Sequence, residues 1–182
     1  MNERIFPKIR CVEQNCESPK LKEIRAALLS ELNNANLKEE INQDDQIALT
    51  ASSRGIKQQD LILKILVDYL KELKAKPFII PSMGSHGGAT ARGQLRILEE
   101  YGITQDSMGC PIRATMDVIK IGEFTFPNGY STPIYIDKFA NKADKILIVN
   151  KIKTHSKFIG PVQSGLSKMC LMGLGKAKGA KS

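Results

Sequence analysis

The apolar positions of this chain fall into three short continuous runs separated by longer stretches of helical periodicity. Residues 47–50 (IALT), 78–80 (FII) and 145–149 (KILIV) have strand length and the composition of strands covered on both faces. Between the first two runs, Leu61, Ile65, Tyr69 and Leu73 form one helical row and Ile62, Leu66 and Leu70 its neighbour. That pattern predicts an amphipathic helix over residues 57–74. Upstream, Leu21, Ile24, Leu28 and Leu32 repeat at the same spacing behind Ser18-Pro19, an N-cap followed by proline at the first helical position. They predict a helix over residues 19–33. A short strand interrupted by Pro7 is expected over residues 5–12, and the polar stretch 33–46 reads as a connection with one helical turn. After the second run, Thr90 is the expected N-cap of a helix reaching Tyr101, with Gly102 as its stop.

The period changes beyond residue 112. Residues 118–126 and 132–136 are rich in Ile, Phe, Tyr and Thr and flank Asn128-Gly129, which predicts a hairpin or small meander. A last short helix is expected to start at Ser164 or Gly165, run to Met172, and break at Gly173 and Gly175. Strands alternating with helices predict an α/β fold, a mostly parallel sheet flanked by helices in a Rossmann-like three-layer arrangement, with an added β-hairpin. The 182 residues suffice for one domain with a sizeable core.

Composition narrows the class. No apolar run reaches the length of a spanning helix, and the start MNERIFPKIR lacks the apolar segment of a secretory signal. Cys11, Cys16, Cys110 and Cys170 form no CxxC pair, no zinc spacing and no disulfide scaffold, so a reduced, cytoplasmic compartment is expected. The net charge is +8, and its distribution is uneven. Residues 146–182 hold seven lysines and no acid, while the preceding 145 residues hold 20 basic and 19 acidic side chains. A local excess of this kind asks for an anionic partner. Nucleic acid is a poor fit, because a 5% aromatic share and no tryptophan leave few platforms for bases to stack on.

Each apolar run is followed closely by an unusual polar group: Arg54 after 47–50, His86 after 78–80, and His155 after 145–149. In an open α/β sheet the carboxyl ends of parallel strands form the ligand crevice, so neighbouring strands would bring the three together. The loop GSHGG at 84–88 precedes a helix and lets backbone approach an anion. A plain chain reversal with a surface histidine is the alternative. Either histidine has the protonation chemistry for acid/base work near neutral pH. Arg54 has the fork that holds a carboxylate, or is a solvated loop residue. Lys168 is a charge for an anion, a nucleophile, or a solvated helix lysine. The end of the chain, GKAKGAKS at 175–182, is not a P-loop, because Ala180 stands where that motif needs glycine. No GxGxxG fingerprint occurs.

SSRG at 52–55, PSMGSHGGAT at 81–90 and VNKIKTHSKFIGPVQSGLSKMCLMGLGK at 149–176 together resemble the amino-terminal domain of the nickel-pincer-nucleotide lactate racemase family. The resemblance covers nearly all of the chain and is closest to the broad branch whose members mostly lack assigned substrates. It implies a 2-hydroxy acid racemase or epimerase in which a nickel pincer nucleotide takes hydride from the substrate's C2 while a histidine removes the hydroxyl proton. By position His86 and His155 are similar to the family's acid/base pair, serving opposite faces of the substrate. Arg54 resembles the arginine that orients the carboxylate, and Lys168 the lysine that tethers the cofactor. Ser53, Gly84, Gly87 and Gly165 would complete the cofactor's surroundings, with the other lysines of the segment as anion-attracting neighbours. The family's nickel-ligating histidine lies beyond the tether, so the metal ligand is expected after Ser182. The chain is accordingly expected to be the amino-terminal part of a two-domain protein, inactive alone. Two departures point to another substrate or another way of holding the cofactor: Ala51 stands where lactate-specific enzymes carry aspartate, and thirteen positions separate His155 from Lys168. The alternative reading is a non-catalytic domain that binds anionic or phosphorylated small molecules.

Overall fold

The computed structural model describes residues 10–13, 21–53, 56–152 and 165–181. All three apolar runs form strands: β1 (Gln46–Ala51), β2 (Lys76–Pro81) and β5 (Lys145–Leu147). They pair in the order β2-β1-β5, and both pairings are parallel. β1 is therefore central, which explains why five of its six residues are buried. Beyond Leu147 the ladder ends, and a side chain replaces it. Thr50 Oγ1 accepts from Val149 N at 2.9 Å, carrying the β5 chain alongside β1 past the last ladder bond. The outer edge of β2 is covered by residues 111–113: Ile79 N donates to Pro111 O and Arg113 N donates to Ile79 O, at 2.9 and 2.8 Å.

Alternation along the strands divides the core into two layers. Ile47, Leu49, Ala51 and Ile79 face one way and pack with Leu63, Leu66, Val67 and Leu70 of α2 (Gln59–Glu72) and Leu98 of α3 (Ala91–Glu100). Leu28, Leu29 and Leu32 of α1 (Ile24–Asn34) close the outside of that layer half-buried. Ala48, Phe78 and Ile80 face the other way, onto Ala140 and Leu174. This second layer holds no long helix. It is made by the hairpin β3 (Val118–Thr125) and β4 (Ser131–Asp137), a 3-10 turn at Ala140–Lys142, and the end of the chain.

The helical stripe read for α2 is broadened: Ile65, Leu66, Tyr69 and Leu70 are buried as read, and others join them. Leu63 and Val67 are fully buried, whereas Leu61 is 39% exposed. The helix lies between the sheet, α1 and α4 (Gln105–Met108), so its buried arc is set by three neighbours rather than one. α1 begins at Ile24, not at residue 19, and Leu21 is exposed. The Ser18-Pro19 cap and most of the expected 5–12 strand lie outside the described residues. Gly102 ends α3 as read, in a left-handed conformation. α4 is an element the periodicity did not announce. It is a single turn closed by a reciprocal cap between Thr104 and Ser107.

The end of the chain also differs from expectation. α5 (Leu166–Lys168) is one turn, continued by a π-turn over Met169–Gly173 and a further turn, α6 (Lys176–Gly179). The helical run ends at Gly173 and is interrupted at Leu174 and Gly175, close to where it was read; at Gly173 the backbone presses against β2's exit. A Cβ there would come within 2.9 Å of Ser82 O. Among the described residues no helix is long and apolar enough to cross a membrane.

Candidate active site

The carboxyl ends of the three parallel strands open into one cleft of about 330 Å³. Ser52 and Ser53 reach it from β1, residues 82–86 from β2, Asn150 and Lys151 from the β5 side, and Lys168, Met169, Met172 and Gly173 from the terminal turns. Of the three side chains expected to converge there, His86 is the one that lies among the described residues. Ser53, Gly84, His86 and Lys168 line the same cavity. Arg54 directly follows Ser53, and His155 lies in segment 153–164; both are outside the described residues, as is Ser164. The flanks of the His155 segment nevertheless meet at the cleft: Asn150 Nδ2 donates to Gly165 O at 2.7 Å. Gly165 thus serves as a backbone acceptor for Asn150, packed with a prospective Cβ 3.3 Å from Ile152.

His86 is half-buried, and its Nδ1 lies 2.5 Å from Ser53 Oγ. Ser53 is fixed in turn by its own backbone, whose carbonyl accepts from Tyr101 Oη at 2.5 Å. Its neighbour Ser52 is buried and bonded to Gln59 at the start of α2, donating to Oε1 at 2.5 Å and accepting Nε2 at its carbonyl. The serines after β1 are thus a supported ledge, and one of them holds the imidazole.

The loop carrying His86 turns through Gly87 and Gly88, both with positive φ, into a 3-10 turn at Gly87–Ala89. α3 follows with Thr90 as N-cap, its Oγ1 accepting from Gly93 N at 3.0 Å. The helix start thus supplies one of its own amide acceptors, and what reaches the cleft is the loop before it. Gly84 is where this loop touches the terminal segment, since a Cβ there would lie 3.2 Å from Met172 O.

Behind the cleft is an arrangement the sequence did not reveal. Lys176, Asp137 and Gln94 are each 0% exposed. Lys176 Nζ lies 3.0 Å from Asp137 Oδ2, donates to Pro81 O, and donates to Gln94 Oε1 at 3.3 Å. Asp137 Oδ1 accepts from Phe139 N and Ala140 N at 2.7 and 3.1 Å. Its Oδ2 faces the Lys176 ammonium, and charge is the larger part of what holds the pair. Burial pushes the Lys176 ammonium below its ordinary range, and the Asp137 carboxylate opposes that shift. The lysine-rich segment is therefore divided. Lys151 and Lys168 line the cleft, Lys178 sits 4.6 Å above the Tyr135 ring, and Lys176 is a buried structural cation rather than part of an anion-attracting surface. No sequence signal separates Lys176 from Lys178, because only the fold decides which side of the last turn is enclosed.

The side chains gathered here suit an anion and proton transfer: two cationic amines, several hydroxyls, an amide and one imidazole held by a hydroxyl. No group of three or more His, Cys, Asp or Glu suited to a metal occurs among the described residues. Neither a curated protein nor a solved structure matches the chain. The family model for the lactate racemase N-terminal domain matches residues 1–179, and the chain belongs to that family.

Proposed function

We propose that this chain forms the proton-transfer half of a 2-hydroxy acid racemase or epimerase, with His86 and His155 as acid/base residues, Arg54 orienting the carboxylate and Lys168 tethering a nickel pincer nucleotide. The observation that carries the reading is His86 on Ser53 in the same cleft as Lys168. A serine is a fitting partner for a histidine that must work in both directions. Its hydroxyl oxygen accepts from Nδ1–H both in the neutral ring, which leaves the Nε2 lone pair free to take a proton, and in the imidazolium. The ring is thereby held in place in both protonation states, whether it takes the substrate's hydroxyl proton at Nε2 or returns it.

The cleft suits the cofactor in part. Lys168 offers an amine at the wall, Lys151 a second charge, and Ser53, Ser82, Ser85 and Asn150 uncharged donors. When bound, the nickel pincer nucleotide supplies the hydride acceptor, which no protein side chain can be. The metal's donors are not assembled among the described residues. The chain's own part is to bind and orient the carboxylate, to hold the two reacting groups in line, and to move one proton.

The test is intact-mass and nickel analysis of the natural full-length polypeptide co-produced with the enzymes that make the cofactor. A mass increment on Lys168 with bound nickel is expected, and His86→Ala or His155→Ala should abolish interconversion of 2-hydroxy acid stereoisomers. Undiminished turnover in either variant would sink the acid/base assignment. An unmodified Lys168 without nickel, in a protein still stabilised by phosphorylated carboxylates, would favour the non-catalytic anion-binding reading.

A further inference from the structure

Lys176 has no place in that chemistry: its ammonium is enclosed behind the cleft wall, 0% exposed. Burying an ammonium and a carboxylate costs several kcal/mol of desolvation per ion, and an apolar pair in their place is often as stable or more so. Stability alone is therefore a weak reason for this pair. The residue also holds a left-handed backbone, φ 55°, a conformation unfavourable for a side chain of its kind.

Its partners suggest the reason. Gln94 stands between Lys176 and the His86 loop. Its Oε1 receives Lys176 Nζ at 3.3 Å, and its Nε2 donates to Gly84 O at 2.9 Å and to His86 O at 3.4 Å. A lysine ammonium only donates and a backbone carbonyl only accepts. A primary amide bridges the two with matched polarity in one orientation alone, oxygen toward the lysine and nitrogen toward the loop. The buried charge thus selects the amide orientation that satisfies the loop, while Asp137 and Pro81 O hold the ammonium in place.

We infer that Lys176 is a positioning residue for His86, acting through Gln94, whose amide it orients onto the carbonyls of Gly84 and His86. The inference rests on the proton-transfer reading of His86 for its significance, but its geometry stands independently of turnover. The ring of His86 is then located from two sides: Ser53 Oγ holds Nδ1, and the Lys176–Gln94 bridge holds the backbone beneath it. The turn α6, which follows the one that bears Lys168, is thereby tied to the loop that bears His86.

The chain holds only two histidines, so ring-nitrogen NMR of the histidine-labelled 182-residue protein reads His86 directly, with His155→Gln assigning the signals. The decisive variant is Gln94→Glu. It keeps the side-chain volume and gives Lys176 a better partner, yet turns an acceptor toward two loop carbonyls. Expected is a folded, cooperatively melting protein in which the His86 ring signals shift and average between tautomers while those of His155 stay put. Unshifted His86 signals would overturn the inference, and so would loss of the fold, which would make Gln94 a global structural residue. Lys176→Met combined with Asp137→Asn, which leaves no stranded carboxylate, should displace the same His86 signals. Wild-type signals in it, or no folded protein, would remove Lys176 from the role. None of these outcomes depends on racemisation. A failure here therefore leaves the proposed function standing, and an inactive holoenzyme with an ordered His86 counts against the function instead.

Discussion

Among single residues, Lys176 and Asp137 put the most at stake, because each is a full charge with no water to return to. Removing one partner of such a pair strands the other, and typically costs about 3–5 kcal/mol. Lys176→Met is expected to lose stability of that order in urea unfolding at neutral pH. Lys176→Met with Asp137→Asn should lose less than the single variant, since the amide keeps the acceptor used by Phe139 N and Ala140 N without the charge. The sign of the pH dependence follows from burial. The Lys176 pKa is lowered from 10.5 in the folded protein, so between the folded value and 10.5 the unfolded chain binds more protons. The stability difference between wild type and the Lys176→Met, Asp137→Asn double variant should therefore rise as pH climbs through that window. A difference that falls with pH would contradict a depressed lysine. At this scale the sequence singled out His86 and Lys168, which line the same cleft, because their residue types in that order are distinctive. It was silent on Gln94 and Asp137, whose roles come from partners 82 and 39 positions away from the lysine they serve.

Among the elements, the His86 loop is the piece whose shape depends most on glycine. Gly87 and Gly88 share a left-handed φ near 65–68°, yet they differ in surroundings. A Cβ on Gly87 would fall 2.5 Å from the backbone carbon of Gly93, whereas one on Gly88 would meet nothing within 4 Å. Gly88→Ala should cost about 1 kcal/mol, the ordinary penalty of an L-residue in that region. Gly87→Ala adds overpacking against α3 backbone, a further ~1–3 kcal/mol. Thermal unfolding of the two variants side by side tests the contrast, and equal melting temperatures would refute it. The elements themselves were largely legible. β1, β2, α2, α3 and the hairpin follow from period and from glycine, proline and threonine punctuation. The stop of the terminal helix at Gly173 and Gly175 was legible as well, but its π-turn was not. In the fold, absent side chains let a π-turn press onto Ser82 O.

At the scale of the molecule, stability is concentrated in β1, β2 and the α2 layer, and thins out toward the hairpin. Ile121, Phe124 and Tyr130 there are more than half exposed, and Phe124 packs edge-on against Phe126 at 4.9 Å rather than into the core. A two-stranded ribbon gains little by itself. Hydrogen exchange should find the amides of β1 and β2 slowest, and those of β3 protected far less. Comparable protection across both sheets would contradict a core confined to the parallel one. The sequence by itself determined the alternation of strands and helices, the parallel sheet, and the family motifs at the strand ends. These are local patterns of period and residue type, and local patterns survive being read one window at a time. Only the tertiary structure decided that β1 is central, that the second core layer is a hairpin with chain-terminal turns, and which lysine faces the cleft and which is sealed behind it. Those depend on strand order and on the enclosure of one side of a short turn, set by contacts between residues up to 99 positions apart.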